Sequence, residues 1–416
     1  MRIAMFYHSL VSDWNHGNAH FLRGVVRELL SRGHGVTVYE PEDSWSRRNL
    51  LAEHGEAGLE AFRAAYPGLT SVAYGADLDP DAALEGVDLA IVHEWNEPGL
   101  VAALGAARRA RPHMRLLFHD THHRAVSAPQ EMERYDLGGF DGALVFGGVL
   151  RELYLRRGWV REAWTWHEAA DTSVFRPRGG DGAADDLVWI GNWGDEEREA
   201  ELHEFLLGPV RALGLRATVY GVRYPDGALR ALRRAGVHYG GWLPNARAPE
   251  VFAGARVTVH VPRRPYVRTL PGIPTIRVFE ALACAIPLVC SPWEDREGLF
   301  TPGRNYLTAE NGPAMCEWLR FLLDNPEQAA AQAERGLMTI RRRHTCAHRV
   351  DELLGICRGL GLDPGNGHAA GTDAGGDQTD GVQSNGVQTN GARTAPRGGG
   401  TYHAQPHAAA AGDPQP

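Results

Sequence analysis

The sequence predicts an α/β protein of two doubly wound domains that face each other across a cleft. Short β-branched, apolar runs alternate with amphipathic stretches over the first ~360 residues, the mark of strand–helix–strand units with parallel sheets. The alternation is interrupted once, by the Gly-, Asp- and Pro-rich stretch HEAADTSVFRPRGGDGAADD, and then resumes. A chain of 416 residues with 43% hydrophobic content can fill two cores of ordinary size. The expected organisation is a first domain over 1–170, a linker over 171–186 and a second domain over 187–340. A closing helix over 341–362 and a tail over 363–416 follow.

Each element follows from its local pattern. RIAMFYH is a strand, NAHFLRGVVRELLSRGH an amphipathic helix closing at Gly33, and GVTVYEP the second strand. VDLAIVHEW and RLLFHD are strands separated by the helix GLVAALGAARRAR. FDGALVF then leads into the helix GGVLRELYLRRGW. Beyond the linker, LVWIGNW, RATVYG, RVTVHVP and IPLVCSP read as strands, and the helices PAMCEWLRFLLDN and HRVDELLGICRGL end the ordered part. From about Asp363 the composition shifts to Gly, Asn, Gln, Thr, Ala and His, with a five-residue period starting at Gln378. Such a segment buries too little apolar surface to offset its ordering entropy, so disorder is expected.

Charge and cysteine usage narrow the function. The chain has no lysine, so all 43 basic residues are arginine, and the formal net charge is −8. A phosphate partner must therefore be met by arginine, histidine or backbone amides. A nucleic-acid binder would show a strong basic patch instead, so nucleic acid is not an expected partner. No apolar run approaches the ~20 residues of a membrane span, and the N-terminus carries no secretory signal. A cytoplasmic protein is expected, with peripheral association the only membrane contact it offers. The five cysteines are odd in number and lack a C-x-x-C pair, which argues against a disulfide framework or a zinc site.

The stretch PGIPTIRVFEALACAIPLVCSPWED, from Pro271 to Asp295, places one carboxylate, Glu280, in an apolar run. It reads as a short helix stopped near Ile286 by Pro287, then a buried strand. Thr275 can cap the helix, and the free N–H groups at its start form an anion site. Glu280 is then either a ligand-binding carboxylate or half of an i,i+3 ion pair with Arg277 on a solvated face.

Two loops at strand ends hold the remaining candidates. FHDTHHR supplies His119, Asp120, His122 and His123. Metal binding, substrate contact and plain loop polarity are all open to it, but the adjacent His122 and His123 would point to opposite sides of an extended chain. In HSLVSDWNHGNAH, Gly17 permits close backbone approach. His16 or His20 could deprotonate an acceptor there, with Asp13 of similar standing. Glu94, in HEWNEPG, is a weaker acceptor-side candidate, whereas His8 and His93 read as core-edge residues.

The second half resembles the group 1 glycosyltransferases of the GT-B fold, which pairs two Rossmann-like domains. DTSVFRP (Asp171 to Pro177) is similar to that family's D-x-x-x-F-x-P linker. GIPTIRVFEALACAIPLV resembles its donor-binding segment, closest to the CgeB-like, spore-maturation-protein-like branch. LVWIGNWGDEERE is similar to the strand and loop that open the donor domain, and GGWLP to the nucleobase-side loop. Together these cover roughly residues 165 to 310.

The resemblance implies a nucleotide-sugar donor, UDP- or GDP-linked, as substrate, with no cofactor and no metal. It places Glu280 on the ribose hydroxyls and the diphosphate at Gly272, Ile273, Thr275 and Arg277. Gly191, Asn192 and Arg198 would form the diphosphate side of the opening loop, and Trp242 would lie by the nucleobase. His119, with Asp120, would face the anomeric centre, and His16 is the first-loop base. Two departures stand out: the first Glu of the family's E-x7-E pattern falls at Gly272, and the basic residues usual after the donor strand are missing as lysine. Arg198, seven residues after Gly191, is the nearest substitute, the alternative being an exposed helix arginine paired with Glu196 or Glu201; Ala285 in place of a usual Gly is a minor change. The implied activity is transfer of a hexose-type sugar to a hydroxyl on a glycan, lipid or small-molecule acceptor. A sugar-nucleotide epimerase and a degenerate nucleotide- or glycan-binding protein are the alternatives.

Overall fold

The computed structural model describes residues 1–179 and 182–365. Of the expected disordered tail, everything from residue 366 on lies outside the described residues. So do Gly180 and Asp181 of the linker stretch.

Seven parallel strands form the first sheet: β1 (Arg2–Phe6), β2 (Gly35–Pro41), β3 (Ser71–Tyr74), β4 (Leu89–His93), β5 (Arg115–Asp120), β6 (Gly142–Val145) and β7 (Ala163–Thr165). Their spatial order is β3-β2-β1-β4-β5-β6-β7. The second sheet has six: β8 (Asp185–Ile190), β9 (Ala217–Tyr220), β10 (Val237–Tyr239), β11 (Ala255–His260), β12 (Leu288–Cys290) and β13 (Leu307–Thr308), in the order β10-β9-β8-β11-β12-β13. Both orders reverse direction beside the first strand of the sheet. That is the switch point where ligands of open α/β sheets gather, beyond the strands' carboxyl ends.

Central strands covered by helices on both faces read as continuous apolar runs, and β4 is buried along its whole length. The helix after β1, α1 (Ala19–Ser31), buries Phe21, Leu22, Val25, Val26 and Leu29, one stripe at helical spacing. Two helices that the sequence reading passed over, α2 (Trp45–His54) and α3 (Glu56–Ala65), follow β2. Next come α4 (Pro98–Arg109) and α5 (Gly148–Arg157) in the first domain. In the second, α6 (Arg264–Arg268) and α7 (Ile276–Ala283) frame the loop after β11. Three helices end the fold: α8 (Gly312–Asp324), α9 (Pro326–Arg343) and α10 (Cys346–Gly359).

The chain crosses between domains twice. It leaves the first at Trp166–Phe175 and returns with α10, which packs on α1. Trp166 donates its indole N–H to Arg349 O at 2.8 Å, and Gly24 of α1 approaches Cys346 so closely that a Cβ there would lie 2.4 Å from its sulfur. A Thr345/His348 capping box starts α10.

Two local expectations change. Helix α7 ends at Ala283 rather than near Ile286, because Ala285 takes a left-handed conformation with φ +53°. The Gly usual at that place would adopt it freely. Thr275 does stand at the N-cap, but its side chain makes no cap hydrogen bond. Its hydroxyl pairs instead with His260 Nε2 at 3.0 Å.

Candidate active site

A cavity of about 190 Å³ lies between the two sheets' carboxyl ends. The first domain contributes Asp13, Asn15, His16 and Gly17 from the loop after β1. The second contributes Ile190, Gly191 and Asn192 after β8, with Arg198, and Gly221 and Val222 after β9. Trp242, Leu243 and Asn245 follow β10, and Arg263, Tyr266, Thr275, Ile276 and Arg277 complete the wall. The loops after β8 and β9 meet without side chains between them: a Cβ on Gly221 would lie 2.0 Å from Gly191 O. Only glycine allows that contact.

Three arginines face this space, each held differently. Arg263 is paired with Glu197 at 2.9 Å and with Asp195 at 3.6 Å. Arg277 is paired with Glu280. Arg198 has no carboxylate within ion-pair distance among the described residues. It donates to Val261 O (3.0 Å), Asn192 O (2.7 Å) and Asn192 Oδ1 (2.8 Å), with its guanidinium 5.1 Å above the Trp189 ring. Its Nε is buried without a partner. Burial, and then the positive Arg263 nearby, push this guanidinium down to about 9. A cation so placed is short of an anion. The alternative reading of Arg198, an exposed arginine paired with Glu196 or Glu201, is not what forms; Glu201 pairs with Arg264.

Asn192 joins these parts. Its Oδ1 accepts from both Arg198 and Arg263, and its Nδ2 donates to Asn15 Oδ1 at 2.7 Å across the cleft. Asp13 makes a second bridge, accepting from Arg23 at 2.8 Å and from the Asn245 backbone at 3.0 Å. His16 is buried in the wall with neither ring nitrogen hydrogen-bonded. Burial, His8 and Arg23 hold it well below the usual imidazole range, so its ring is neutral and both nitrogens are open to a ligand.

Of the residues the sequence singled out, Asp13, His16, Gly17, Gly191, Asn192, Arg198, Trp242, Thr275 and Arg277 come together here, with Arg263 beside them. The others do not line the cavity. His119 is fully buried, its Nδ1 paired with the Tyr7 hydroxyl and its ring 4.8 Å from Trp166. Burial lowers it to about 3. Its place on β5 turns it toward the core under α1 rather than out at the strand end, which corrects the expectation that it faces the anomeric centre. Asp120 points to the other face of β5, where it accepts from Tyr154 Oη at 2.6 Å and from His122 N at 2.9 Å.

Gly272 and Ile273 lie behind the cavity. Gly272 sits at φ +97°, and a Cβ there would meet Glu297 Cγ at 3.1 Å. Ile273 packs into the first domain's core. Glu280 is fully buried, so its face of α7 is not solvated, although the ion pair with Arg277 exists. Its other oxygen accepts from His20 Nδ1 at 2.9 Å, and Arg277 and His20 hold the carboxyl below its usual range against the effect of burial.

His20 is thereby engaged and no free base. The Asp171 backbone N–H donates to its Nε2 at 2.8 Å, and its ring stacks on Phe175. Glu94 is buried in an ion pair with Arg124 at 3.0 Å. His122 and His123 do not diverge: their rings lie 4.0 Å apart, because the chain turns into a short helix there. Among the described residues no group of three or more His, Cys, Asp or Glu is arranged to hold a metal. Asn15, Asn245 and Tyr266 were not foreseen. Asn15 and Asn245 at least sit in loops marked by their strand-end positions.

Residues 198–355 match the family model described as glycosyl transferase-like. The solved structures similar to this chain share its two-domain arrangement at low identity. Sucrose-phosphate synthase from Thermosynechococcus elongatus is 14% identical, with 86% of this chain and 99% of that one covered at a TM-score of 0.59. HepE of Anabaena, solved with UDP and glucose, is 12% identical (86% and 100% covered, TM-score 0.62). An alpha-glucosyltransferase solved with UDP and a 13-mer DNA is also 12% identical (86% and 99% covered, TM-score 0.62). The fold is GT-B. No curated protein sequence matches the chain. The glycosyl transferase-like match falls on the domain of the second sheet, from Arg198 on, and on the returning helix α10. Among the described residues no helix is long and apolar enough to cross a membrane.

Proposed function

We propose that the protein is a metal-independent glycosyltransferase that moves a sugar from a UDP-linked donor to an acceptor hydroxyl. The observation that carries this is Arg198, a buried guanidinium without a carboxylate at the wall of a GT-B cleft. Beside it lie Arg263, Arg277 and the start of α7. Fixed cations and amides stabilise the charge that develops on a leaving diphosphate, which removes the need for a divalent ion. Uridine is favoured over guanosine because the two nucleotide-bound GT-B structures named above carry UDP.

The residue roles follow from position. Arg198 and Arg263 hold the diphosphate, with Asn192 fixing both. Trp242 and Val222 flank the nucleobase. Arg277 covers Glu280; as it turns toward the diphosphate it uncovers that carboxylate for the ribose hydroxyls. His16, neutral and unpartnered, takes the acceptor's proton. His119 and Asp120 have no part in the reaction. The acceptor is a glycan, lipid or small molecule.

A panel of nucleotide sugars tests this, with released nucleoside diphosphate and glycosylated product as the readouts. Saturating UDP should also raise the melting midpoint, since a ligand at a hundred times its Kd stabilises by about 2.7 kcal/mol. Transfer should survive excess chelator. Loss of activity restored by zinc or manganese would refute the metal-free mechanism, and sugar isomerisation without UDP release would make the protein an epimerase.

A further inference from the structure

The loop after β8 is folded around the arginine that ends it. A Cβ on Gly194, at φ +97°, would lie 2.6 Å from Arg198 Cγ and 2.8 Å from its Nε, so the backbone passes where only glycine leaves room. Three consecutive acids, Asp195, Glu196 and Glu197, precede Arg198, yet among the described residues none forms an ion pair with it. Asp195 pairs with Arg223 at 2.9 Å and with Arg263 at 3.6 Å, and Glu197 pairs with Arg263 at 2.9 Å. Asp195 and Glu196 take left-handed backbone, at φ +48° and +67°. Strain of this kind persists only where the surroundings over-determine it, and it gathers at functional sites. In this turn the acids face other arginines, and Arg198 is left without a carboxylate.

What meets Arg198 instead is an amide. Its Nη2 donates to Asn192 Oδ1 at 2.8 Å, and Arg263 Nη2 donates to the same oxygen at 3.2 Å. A guanidinium can only donate, so the oxygen end of the amide has to face the two arginines and the NH2 end has to face away. That end reaches across the cleft, where Nδ2 donates to Asn15 Oδ1 at 2.7 Å. Asn15 stands in the loop after β1 at φ +50°, a conformation asparagine adopts more readily than most residues. A carboxylate at position 192 would have the same shape but the opposite effect. One of its oxygens would neutralise Arg198, and the other would oppose Asn15 Oδ1, acceptor against acceptor.

We propose that Asn192 is a specificity-determining positioning residue: a neutral tie that orients Arg198 and Arg263 without cancelling the charge of Arg198, and that is itself set by Asn15 when the domains close. This rests on the reading of those two arginines as the diphosphate's partners. It adds that the site selects an anion because its own acids are withheld from Arg198. It adds also that the grip on the diphosphate is complete only with the first domain's loop in place, so donor binding and closure strengthen each other.

The test is isothermal titration of the full chain with UDP and with inorganic pyrophosphate, with melting curves to show that each variant is folded. Asn192→Asp keeps the size of the side chain and its acceptor oxygen but gives Arg198 a carboxylate, so both ligands should bind at least about tenfold more weakly. Asn192→Ala removes the tie without adding charge and should lose less than Asn192→Asp. A residue that only filled space or held the arginines would give the reverse order, since aspartate still accepts their hydrogen bonds. Asn15→Ala should weaken UDP binding in the wild type and change nothing further in an Asn192→Ala background, because its effect runs through Asn192. Binding by Asn192→Asp within about threefold of wild type, a greater loss in Asn192→Ala, or additive losses at positions 15 and 192 would overturn the inference alone. A wild type that binds neither ligand would overturn the donor reading and this inference with it.

Discussion

Arg198→Ala is the sharpest perturbation of the proposed site. A guanidinium has five N–H donors. In the structure three are spent, one Nη1 hydrogen on Val261 O and both Nη2 hydrogens on Asn192, which leaves Nε–H and the second Nη1–H. Those two leave the planar group in different directions, so each can take a phosphate oxygen singly, and a side-by-side grip on the Nε/Nη2 edge would require Nη2 to release Asn192. A hydrogen bond to a charged group contributes about 1.5–3 kcal/mol. Two at the lower end give about 3 kcal/mol, or a ~150-fold weaker Kd for UDP at 1.4 kcal/mol per decade.

Isothermal titration with UDP measures this directly. The transfer rate should fall more than the donor's KM rises if the bonds strengthen as the diphosphate leaves. Arg198→Lys should recover only part of the affinity, since an ammonium cannot span both oxygens and also loses the contacts to Asn192 and Val261. A folded Arg198→Ala protein that binds UDP within about threefold of wild type would refute the argument, and a large loss in Arg263→Ala instead would move the diphosphate to the loop after β11.

Other expectations follow from single observations. Glu280→Ala should weaken UDP binding by about 1.5–3 kcal/mol through the ribose; if calorimetry shows unchanged affinity, Glu280 serves only to join His20 and Arg277. Ala285→Gly should raise the melting temperature, because a non-glycine residue at φ +53° carries about 1–2 kcal/mol of strain, partly offset by the freedom glycine adds to the unfolded chain; a clear drop in thermal denaturation would contradict the strain. Acidification should destabilise the fold. Burial lowers His8 to about 4 and His119, His260 and His344 to about 3, so below ~6.5 the unfolded chain binds protons that the native state refuses. Melting temperature measured from about pH 7 to about pH 4 should therefore fall, and a flat profile would mean that these imidazoles are charged in the fold.

What could be read from the sequence divides along one physical line. Apolar periodicity located the strands around the cavity because a parallel strand buried on both faces has little freedom in composition. Of the loops so marked, those after β1, β8 and β11 line the cavity, whereas the loop after β5 does not. The sense in which a side chain leaves a strand is another matter. His119 and Asp120 are neighbours on β5, one turned under α1 and the other toward Tyr154. With both faces of the sheet buried, polarity does not say which residue reaches the cleft, and neither does. The His122–His123 pair failed differently: the period-two rule assumes extended chain, and the backbone had already turned.

Glu280 shows the deeper limit. A carboxylate in an apolar helix was read as either a ligand-binding group or half of an ion pair, and Arg277 could be named for the pair because it is one turn away. His20 was not, because it lies on α1, 260 residues distant, and meets Glu280 only through closure of the cleft. The same holds for Glu197 with His123 and for Glu297 with His167, pairs that no local pattern connects. Local sequence thus carries the strands, the loops and the isolated cation Arg198, whereas contacts across the cleft exist only in the assembled fold. Exchanging His167 for Gln, a change within a short crossover, should then alter amide exchange over Glu297's loop on the far side of the cleft. Exchange confined to the crossover would show that the two sides are not coupled.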